Sequence, residues 1–404
     1  MKKMYCHTFG CKVNQYETEV IRGALSGTGF AFTDDYSGAD VCIINSCSVT
    51  AEADRKCRQF VRKILRSNNR ARVIVTGCLA TRDPQSLMKI SAKIEVFPNS
   101  GKDMIPASIS GCAFPEGEKF SLAAFSGHTR AFLKVQDGCD AKCTYCVIPQ
   151  VRPEMISRNP DEIVPEIRYL LGKGYKEIVL AGIRLGSYGL SSGRGRAGKN
   201  NGSLTELLRK IMLVPGEFRV RLSSLEITEV TEELLGLISS SRKLCRHFHL
   251  PLQSGDDTVL KRMGRWYDPE YFAGKVSSIR EIIPDAGIFS DIMVGFPGES
   301  EENFLNSFKF AHKHFNGLHV FPFSSRPGTP ASRLPGHIDP KTTRNRVERL
   351  LALDKKLRKD FRARFTGTER MVLAETEGGF TDNGIRVPPP LPIPEGELGM
   401  MAIP

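Results

Sequence analysis

The chain has 404 residues, enough for two or three domains and a sizeable core, and its 40% hydrophobic and 25% charged content is that of a soluble globular protein. No apolar run reaches the roughly 18 residues of a membrane span, and Met1-Lys2-Lys3-Met4-Tyr5-Cys6 lacks the apolar stretch of a signal peptide. A cytoplasmic protein without a membrane partner is therefore expected, in which 11 cysteines are metal ligands or reduced thiols rather than disulfides, and a net charge of +12 points to an anionic partner such as nucleic acid.

Residues 1–125 read as a first domain. Residues 3–9 are a predicted strand followed by Gly10-Cys11, and residues 15–27 a helix. Residues 39–45 are a buried strand followed by Ser46-Cys47. Residues 50–67 are a helix capped by Thr50, with Glu52 in its first turn. Residues 72–76 are a third strand, followed by Gly77-Cys78. Strands alternating with helices make an open parallel sheet, whose ligand sites lie beyond the carboxyl ends of its strands. A cysteine stands in that place after each of three strands: Cys11, Cys47 and Cys78. Spacing alone does not make them a cluster; the sheet would bring them to one edge. Cys6 and Cys42 fall inside strands and read as small core residues, Cys57 lies on the helix, and Cys112 is in the connection to the next domain. The helix after Cys47 is basic, with Arg55, Lys56, Arg58, Arg62, Lys63 and Arg66, which suits either a solvated face or phosphate contact.

Residues 126–363 read as a central domain. A strand at 131–136 leads through Asp137-Gly138 into Cys139-Asp-Ala-Lys-Cys143-Thr-Tyr-Cys146. Three thiols on one loop are one short of the four that close an iron–sulfur cluster or a structural zinc site, which leaves a metal position open. The residues by themselves also suit a zinc knuckle. Further strands are predicted at 177–181, 219–223, 247–252, 288–294 and 317–323, giving six βα-type units. Those are too few for a closed eight-stranded barrel, so a partial, open barrel is expected. The loops after these strands carry small and polar residues: Gly182 to Gly189, Ser223-Ser224-Leu-Glu226, Pro251-Leu-Gln253-Ser-Gly255 and Val294-Gly295-Phe-Pro-Gly-Glu299. Residues 191–202 are rich in Gly, Arg and Asn and read as a flexible loop.

Between Lys341 and Met371 there are 11 Lys and Arg against 4 Asp and Glu. Leu350, Leu353, Leu357 and Phe361 recur at helical spacing, so a helix packs one face and shows a basic one. Arg344, Lys355, Arg358 and Arg362 on that helix, with Arg62 and Lys63 of the first domain, are the candidate RNA contacts. Residues 364–404 read as a short β domain with strands at 371–375 and 379–387, closing in a proline-rich run from Pro388 to Pro394.

The C-x3-C-x2-C spacing with Tyr145 before the last cysteine resembles the radical S-adenosylmethionine superfamily. The words Thr8-Phe-Gly-Cys-Lys-Val-Asn-Gln-Tyr-Glu-Thr-Glu19, Asn45-Ser-Cys-Ser-Val-Thr50 and Thr76-Gly-Cys78 resemble the methylthiotransferase family, and the first is most similar to the branch acting on N6-threonylcarbamoyladenosine in tRNA. Pro251-Leu-Gln-Ser-Gly-Asp-Asp and Ser325-Arg-Pro-Gly-Thr-Pro-Ala331 follow the family in the same order. The resemblance implies an α/β chain in three parts: an open parallel sheet, a partial (βα)6 barrel and a short, reduced TRAM-like β domain that helps hold RNA. It implies one [4Fe–4S] cluster on Cys139, Cys143 and Cys146, chelated by S-adenosylmethionine at the fourth iron, and a second, auxiliary cluster on Cys11, Cys47 and Cys78. Tyr145, Gly182, Ser224, Glu226, Gln253 and Gly295 would surround S-adenosylmethionine. The implied reaction uses two molecules of it to place a methylthio group on C2 of the modified adenosine 3′ to the anticodon. The partners expected are tRNA and an electron donor such as a flavodoxin or ferredoxin, for a monomeric enzyme. Rivals are the same chemistry on N6-isopentenyladenosine or on an aspartate of a ribosomal protein, and a non-catalytic metal-containing RNA-binding protein. Three features depart from the family: Arg152-Pro153 replaces Arg-Gly ahead of Ser157-Arg158, Arg184 stands where Asn is usual, and residues 191–202 are inserted.

Overall fold

The computed structural model describes residues 1–111, 128–190 and 202–404. Cys112, the expected boundary near residue 125 and the insertion at 191–201 lie outside the described residues. The chain divides into two compact units, one made of Met1–Ser126, Gly138–Asp140 and Cys146–Glu154, the other of Gly127–Asp137, Ala141–Tyr145 and Met155–Pro404.

The first unit runs β1 (Lys2–Thr8), α1 (Lys12–Leu25), β2 (Phe30–Phe32), β3 (Val41–Ser46), α2 (Ala51–Ser67), β4 (Arg72–Gly77), α3 (Cys78–Arg82), α4 (Pro84–Met88), β5 (Ile94–Val96), α5 (Met104–Ser110) and, from further along the chain, α6 (Ile148–Val151). Its sheet is parallel throughout, in the order β2-β1-β3-β4-β5. Side chains alternate across it. Cys42, Ile44, Val73 and Val75 bury against Cys57, Val61 and Ile64 of α2, whereas Met4, Val41, Ile43 and Ile74 bury against Ile21 and Leu25 of α1. The predicted open sheet is present; β2 and β5, of three residues each, are too short to show a period. Thr50 caps α2 by accepting from the Ala53 amide at 3.1 Å. Helix α1 starts at Lys12, earlier than predicted, which makes Cys11 its N-cap residue.

The second unit contains β6 (Ala131–Lys134), the antiparallel pair β7 (Gln136–Asp137) and β8 (Ile156–Ser157), α7 (Pro160–Gly172), β9 (Glu177–Ala181), α8 (Leu204–Met212), β10 (Arg219–Leu222), α9 (Glu232–Ser240) and β11 (His247–His249). It continues through α10 (Asp257–Arg262), α11 (Pro269–Ile282), β12 (Gly287–Val294), α12 (Glu301–His314), β13 (Gly317–Pro322) and α13 (Pro340–Ala363). Parallel ladders join β6-β9-β10 and β11-β12-β13, and a parallel bridge from Val220 to Leu244 connects the two sets. These six strands are the expected partial barrel, with β6 and β13 at its edges. Strand β11 is shorter than the predicted 247–252: the Leu250 amide bonds the Phe289 carbonyl, but the next amide to bond β12 is that of Gln253, to Asp291, one residue out of step across Pro251. On α13, Leu350, Leu353, Leu357 and Phe361 are buried, as their spacing predicts.

The same unit ends in a four-stranded antiparallel sheet, β14 (Glu369–Glu375), β15 (Gly378–Thr381), β16 (Arg386–Val387) and β17 (Leu398–Ala402), in the order β16-β15-β14-β17. The predicted strand at 379–387 is two strands with a turn between them. The chain does not stop being sheet at the proline run: β17 returns beside β14. Its sequence, Leu398-Gly-Met-Met-Ala402, has no β-branched residue to mark it. Among the described residues no helix is long and apolar enough to cross a membrane.

Candidate metal and cofactor sites

Strands β1, β3 and β4 are neighbours, so Cys11, Cys47 and Cys78 follow their carboxyl ends at one edge of the sheet. Two glycines allow the approach. Gly10 has φ +98°, and a Cβ there would stand 2.6 Å from the Cys47 Cβ and 2.8 Å from its Sγ. Gly77 has φ +94°, and a Cβ there would collide with the Ser46 carbonyl and stand 2.6 Å from Asn45 Oδ1. The Ser46 hydroxyl donates to the Thr76 carbonyl at 2.5 Å and accepts from the Leu79 and Ala80 amides at 3.1 and 3.3 Å, which fixes the helix turn that begins with Cys78. Asn14 donates to the Phe9 and Ser46 carbonyls, both at 3.0 Å, and so pins the Cys11 and Cys47 loops to one side chain. Burial above all, with Cys78 and Cys11 adding to it, pushes the Cys47 thiol up to about 12. Burial likewise pushes the Cys11 thiol up, and thiols of this kind give up their protons when a metal group binds.

Arg152 completes this region, and the residue is 5% exposed. It donates to both Glu17 carboxylate oxygens, at 2.9 and 2.8 Å, to Asn14 Oδ1 at 3.0 Å and to Asn99 Oδ1 at 3.4 Å. Lys102 Nζ also bonds Glu17. The Arg152 carbonyl accepts from the Cys139 amide at 3.1 Å. The unusual Arg152-Pro153 thus sends its arginine to the residues around Cys11 while its backbone holds the start of the cysteine loop. Exchanging Arg152 for Met removes a buried, bidentate partner of Glu17. The expected result is a loss of about 3 kcal/mol, read as a lower melting temperature, with less iron retained after reconstitution; a variant with wild-type melting and iron would refute this role.

In the cysteine loop, Ile148 donates its amide to Cys146 Sγ at 3.4 Å. Cys143 Sγ accepts from Arg265 Nη1 at 3.2 Å, and the same nitrogen lies 3.5 Å from the Tyr145 hydroxyl. Arg265 also pairs with Glu226, donates to the Tyr267 hydroxyl at 2.8 Å and stacks over Trp266 at 4.7 Å. Sequence reasoning missed Arg265; its one signal is its place beside the chain's single tryptophan. Burial pushes the Glu226 carboxyl up, against the pull of Arg265. Arg184, the departure from Asn, bonds Glu229 at 2.6 Å and lies 5.2 Å from the Trp266 ring centre.

The other predicted residues lie at strand ends, with different local reasons. Tyr145 packs among Val259, Met263, Met293 and Phe296. Gln253 has φ +74°, alone among the described non-glycine residues, and its buried Oε1 has no hydrogen-bond partner there. Ser223 Oγ is likewise buried without a partner, and Ser224 beside it is exposed. Gly182 and Gly295 have packing reasons: a Cβ would stand 2.9 Å from Leu185 Cα in the first and 2.7 Å from Thr343 Oγ1 in the second.

Residues 3–98 match the model described as uncharacterized protein family UPF0004, and residues 133–311 match the radical SAM superfamily. The chain is 36% identical to the threonylcarbamoyladenosine tRNA methylthiotransferase MtaB of Bacillus subtilis (strain 168), over 94% of this chain and 89% of that protein. It is 39% identical to the protein of the same name from Thermotoga maritima, over 93% and 87%. The chain belongs to the threonylcarbamoyladenosine tRNA methylthiotransferase family. The tRNA-2-methylthio-N(6)-dimethylallyladenosine synthase of Geobacter metallireducens is 33% identical to this methylthiotransferase, over 93% and 87%. Among solved structures, the radical S-adenosylmethionine methyltransferase TsrM of Kitasatospora setae, described with cobalamin and a [4Fe–4S] cluster bound, has a TM-score of 0.55. It is 15% identical over 82% of this chain and 77% of that one, a likeness of fold alone.

Membership brings [4Fe–4S] clusters and S-adenosylmethionine as cofactors. The methylthiotransferase has donors that fit them. Each cysteine set offers three sulfurs, one fewer than a cluster's four irons. The buried oxygens of Gln253 and Ser223, at the ends of barrel strands, await polar partners.

The predicted RNA contacts divide into two kinds. Arg62, Lys63, Arg344 and Lys355 are exposed. Arg358 is tied to Asp354 at 2.8 Å and to the Leu318 carbonyl at 3.3 Å, and Arg362 donates to the Pro404 carbonyl at 2.9 Å. These two arginines hold α13 to its surroundings, so the basic helix has fewer uncommitted charges than its sequence suggests.

Proposed function

We propose that this methylthiotransferase adds a methylthio group to C2 of N6-threonylcarbamoyladenosine, 3′ to the anticodon of tRNA. The observation that carries this reading is the 36% and 39% identity, over more than nine-tenths of the chain, to enzymes named for that substrate. Cys139, Cys143 and Cys146 hold one [4Fe–4S] cluster, and Cys11, Cys47 and Cys78 hold the other. When bound, the first cluster with S-adenosylmethionine supplies the radical that removes the adenine C2 hydrogen, which no side-chain base removes near neutral pH.

The chain's own residues prepare that chemistry. Arg265 places a fixed positive charge beside the Cys143 sulfur and orients Glu226 and Tyr267. Tyr145, Gly182, Ser224, Glu226, Gln253 and Gly295 surround S-adenosylmethionine. Residues 1–125 serve the auxiliary cluster, 126–363 the radical chemistry, and 364–404 anchor RNA. Arg62, Lys63, Arg344, Lys355, Arg358 and Arg362 meet the tRNA backbone. The enzyme is a monomer supplied with electrons by a flavodoxin or ferredoxin.

The test is nucleoside mass analysis after anaerobic incubation of reconstituted, reduced protein with S-adenosylmethionine and tRNA bearing the threonylcarbamoyl group. The expected result is a methylthio mass increment on that nucleoside. 5′-Deoxyadenosine without the increment would retain the radical reaction and overturn the substrate, in favour of dimethylallyl-modified tRNA or a ribosomal protein. Formation of neither product would overturn the cofactor assignment.

A further inference from the structure

One group of metal-ligating side chains in the barrel has no part in the reaction described above. Asp291 on β12 and His319 on β13 are direct register partners, and His249 on β11 is opposite Phe289, two residues before Asp291. Residues two apart on a strand face the same side, so the three side chains emerge together. Met293, two residues further along β12, packs with Tyr145 of the cysteine loop. The group therefore lies on the same face of the barrel sheet as Met293.

Its geometry is close to that of a metal shell. His249 Nε2 is 2.9 Å from Asp291 Oδ1, His319 Nδ1 is 3.4 Å from the same oxygen, and all candidate ligand atoms lie within 4.8 Å of one another. Metal bonds of about 2.0–2.2 Å separate neighbouring ligand atoms by about 3.0–3.5 Å in tetrahedral or octahedral shells, so two of the three spacings are already in place. Among the described residues no Lys or Arg pairs with Asp291. The two imidazoles are the basic groups that face Asp291 among the described residues, and an ion bound between the three would exchange their hydrogen bonds for metal bonds. Two imidazoles and one carboxylate form a set that takes first-row divalent ions with open positions. The His319 side chain is 63% exposed, which gives an ion a way in.

We propose that His249, Asp291 and His319 form a further metal site, separate from the six cluster cysteines, that binds one divalent first-row transition ion such as Zn2+. The three strands hold the donors in register, and the open side of the ion faces solvent.

The test uses reconstituted holoenzyme of measured iron content, equilibrated with buffered zinc and analysed for zinc per chain and by X-ray absorption at the zinc edge. The expected result is one zinc per chain with nitrogen and oxygen ligands only. Asp291→Asn and His319→Ala should each weaken zinc binding at least tenfold, with iron content and melting temperature unchanged. Because His319 is mostly exposed, its alanine variant is expected to fold even if the Asp291 variant does not. No zinc in the wild type, or equal binding in the His319 variant, would overturn the proposal and leave a hydrogen-bonded triad that joins β11 to β13. Sulfur in the zinc shell would also overturn it, by placing the ion on cysteines left empty of cluster.

Discussion

Replacing Cys139, Cys143 and Cys146 together by alanine is expected to leave about half the iron and no methylthiolation. The reason is that the two cysteine sets are built by different parts of the chain. Cys11, Cys47 and Cys78 depend on the ends of β1, β3 and β4 and on bonds from Asn14 and Ser46, none of which involves a thiol of the 139–146 loop. The loop touches that region through backbone, where the Cys139 amide meets the Arg152 carbonyl, and alanine keeps that bond. Iron and sulfide analysis, with electron paramagnetic resonance of the reduced protein, measures the outcome. The reciprocal variant, alanine at Cys11, Cys47 and Cys78, should retain the other half and still cleave S-adenosylmethionine reductively. A loop variant without iron would mean that one cluster cannot assemble without the other; full iron in it would mean that these cysteines are not ligands.

Both cysteine sets were legible in the sequence for simple reasons. One is a short spacing on one loop. The other is a repeated place, the residue or two after a strand, which a parallel sheet turns into one edge. What could not be read were contacts made across long sequence distances. Arg152 looked like a disturbance of the cysteine loop, yet its guanidinium reaches Asn14 and Glu17, more than a hundred residues earlier. Arg265 lies 122 residues from Cys143. No periodicity reports such pairs, because they are properties of strand order and loop path. Short elements fail for another reason: β2 and β5 contain too few residues to establish alternation. Gly182 and Gly295 also show a packing reason for lacking a side chain, since a Cβ would meet Leu185 in one and Thr343 in the other. The intrachain bonds of Arg358 and Arg362 on α13 could not be read from their spacing either.

Glu177→Gln is expected to cost about 3–5 kcal/mol at neutral pH, although Glu177 is far from either cysteine set in sequence. Glu177 on β9 is wholly buried and bonds Arg219 and Arg221 of β10, each at 2.6 Å. Those arginines extend to the C-terminal sheet: Arg219 donates to the Met371 and Phe380 carbonyls, and Arg221 to those of Asp382 and Thr381, at 2.7–3.1 Å. One carboxylate therefore balances the two cations that dock the sheet on the barrel. Burial by itself would push the Glu177 carboxyl up, but the two guanidiniums outweigh it and hold the group well below the usual carboxylate range. A depressed folded-state pKa contributes stability that is complete above the unfolded value of about 4.3 and is lost as pH falls through the folded value. The stability gap between wild type and Glu177→Gln should thus be constant from pH 5 to 7 and shrink below about pH 4, where the carboxyl of the unfolded chain takes up a proton while the folded one stays ionised. Thermal unfolding of both proteins across that range measures it, and limited proteolysis should release residues after 364 sooner in the variant. A gap that persists unchanged to pH 3 would assign the loss to packing rather than to charge. Replacing Glu177, Arg219 and Arg221 together with apolar residues separates the remaining terms: it removes the buried charges and the sheet's anchors at once. Its stability should exceed that of Glu177→Gln, while its C-terminal sheet should stay as sensitive to protease, because the guanidiniums that donate to those four carbonyls are gone.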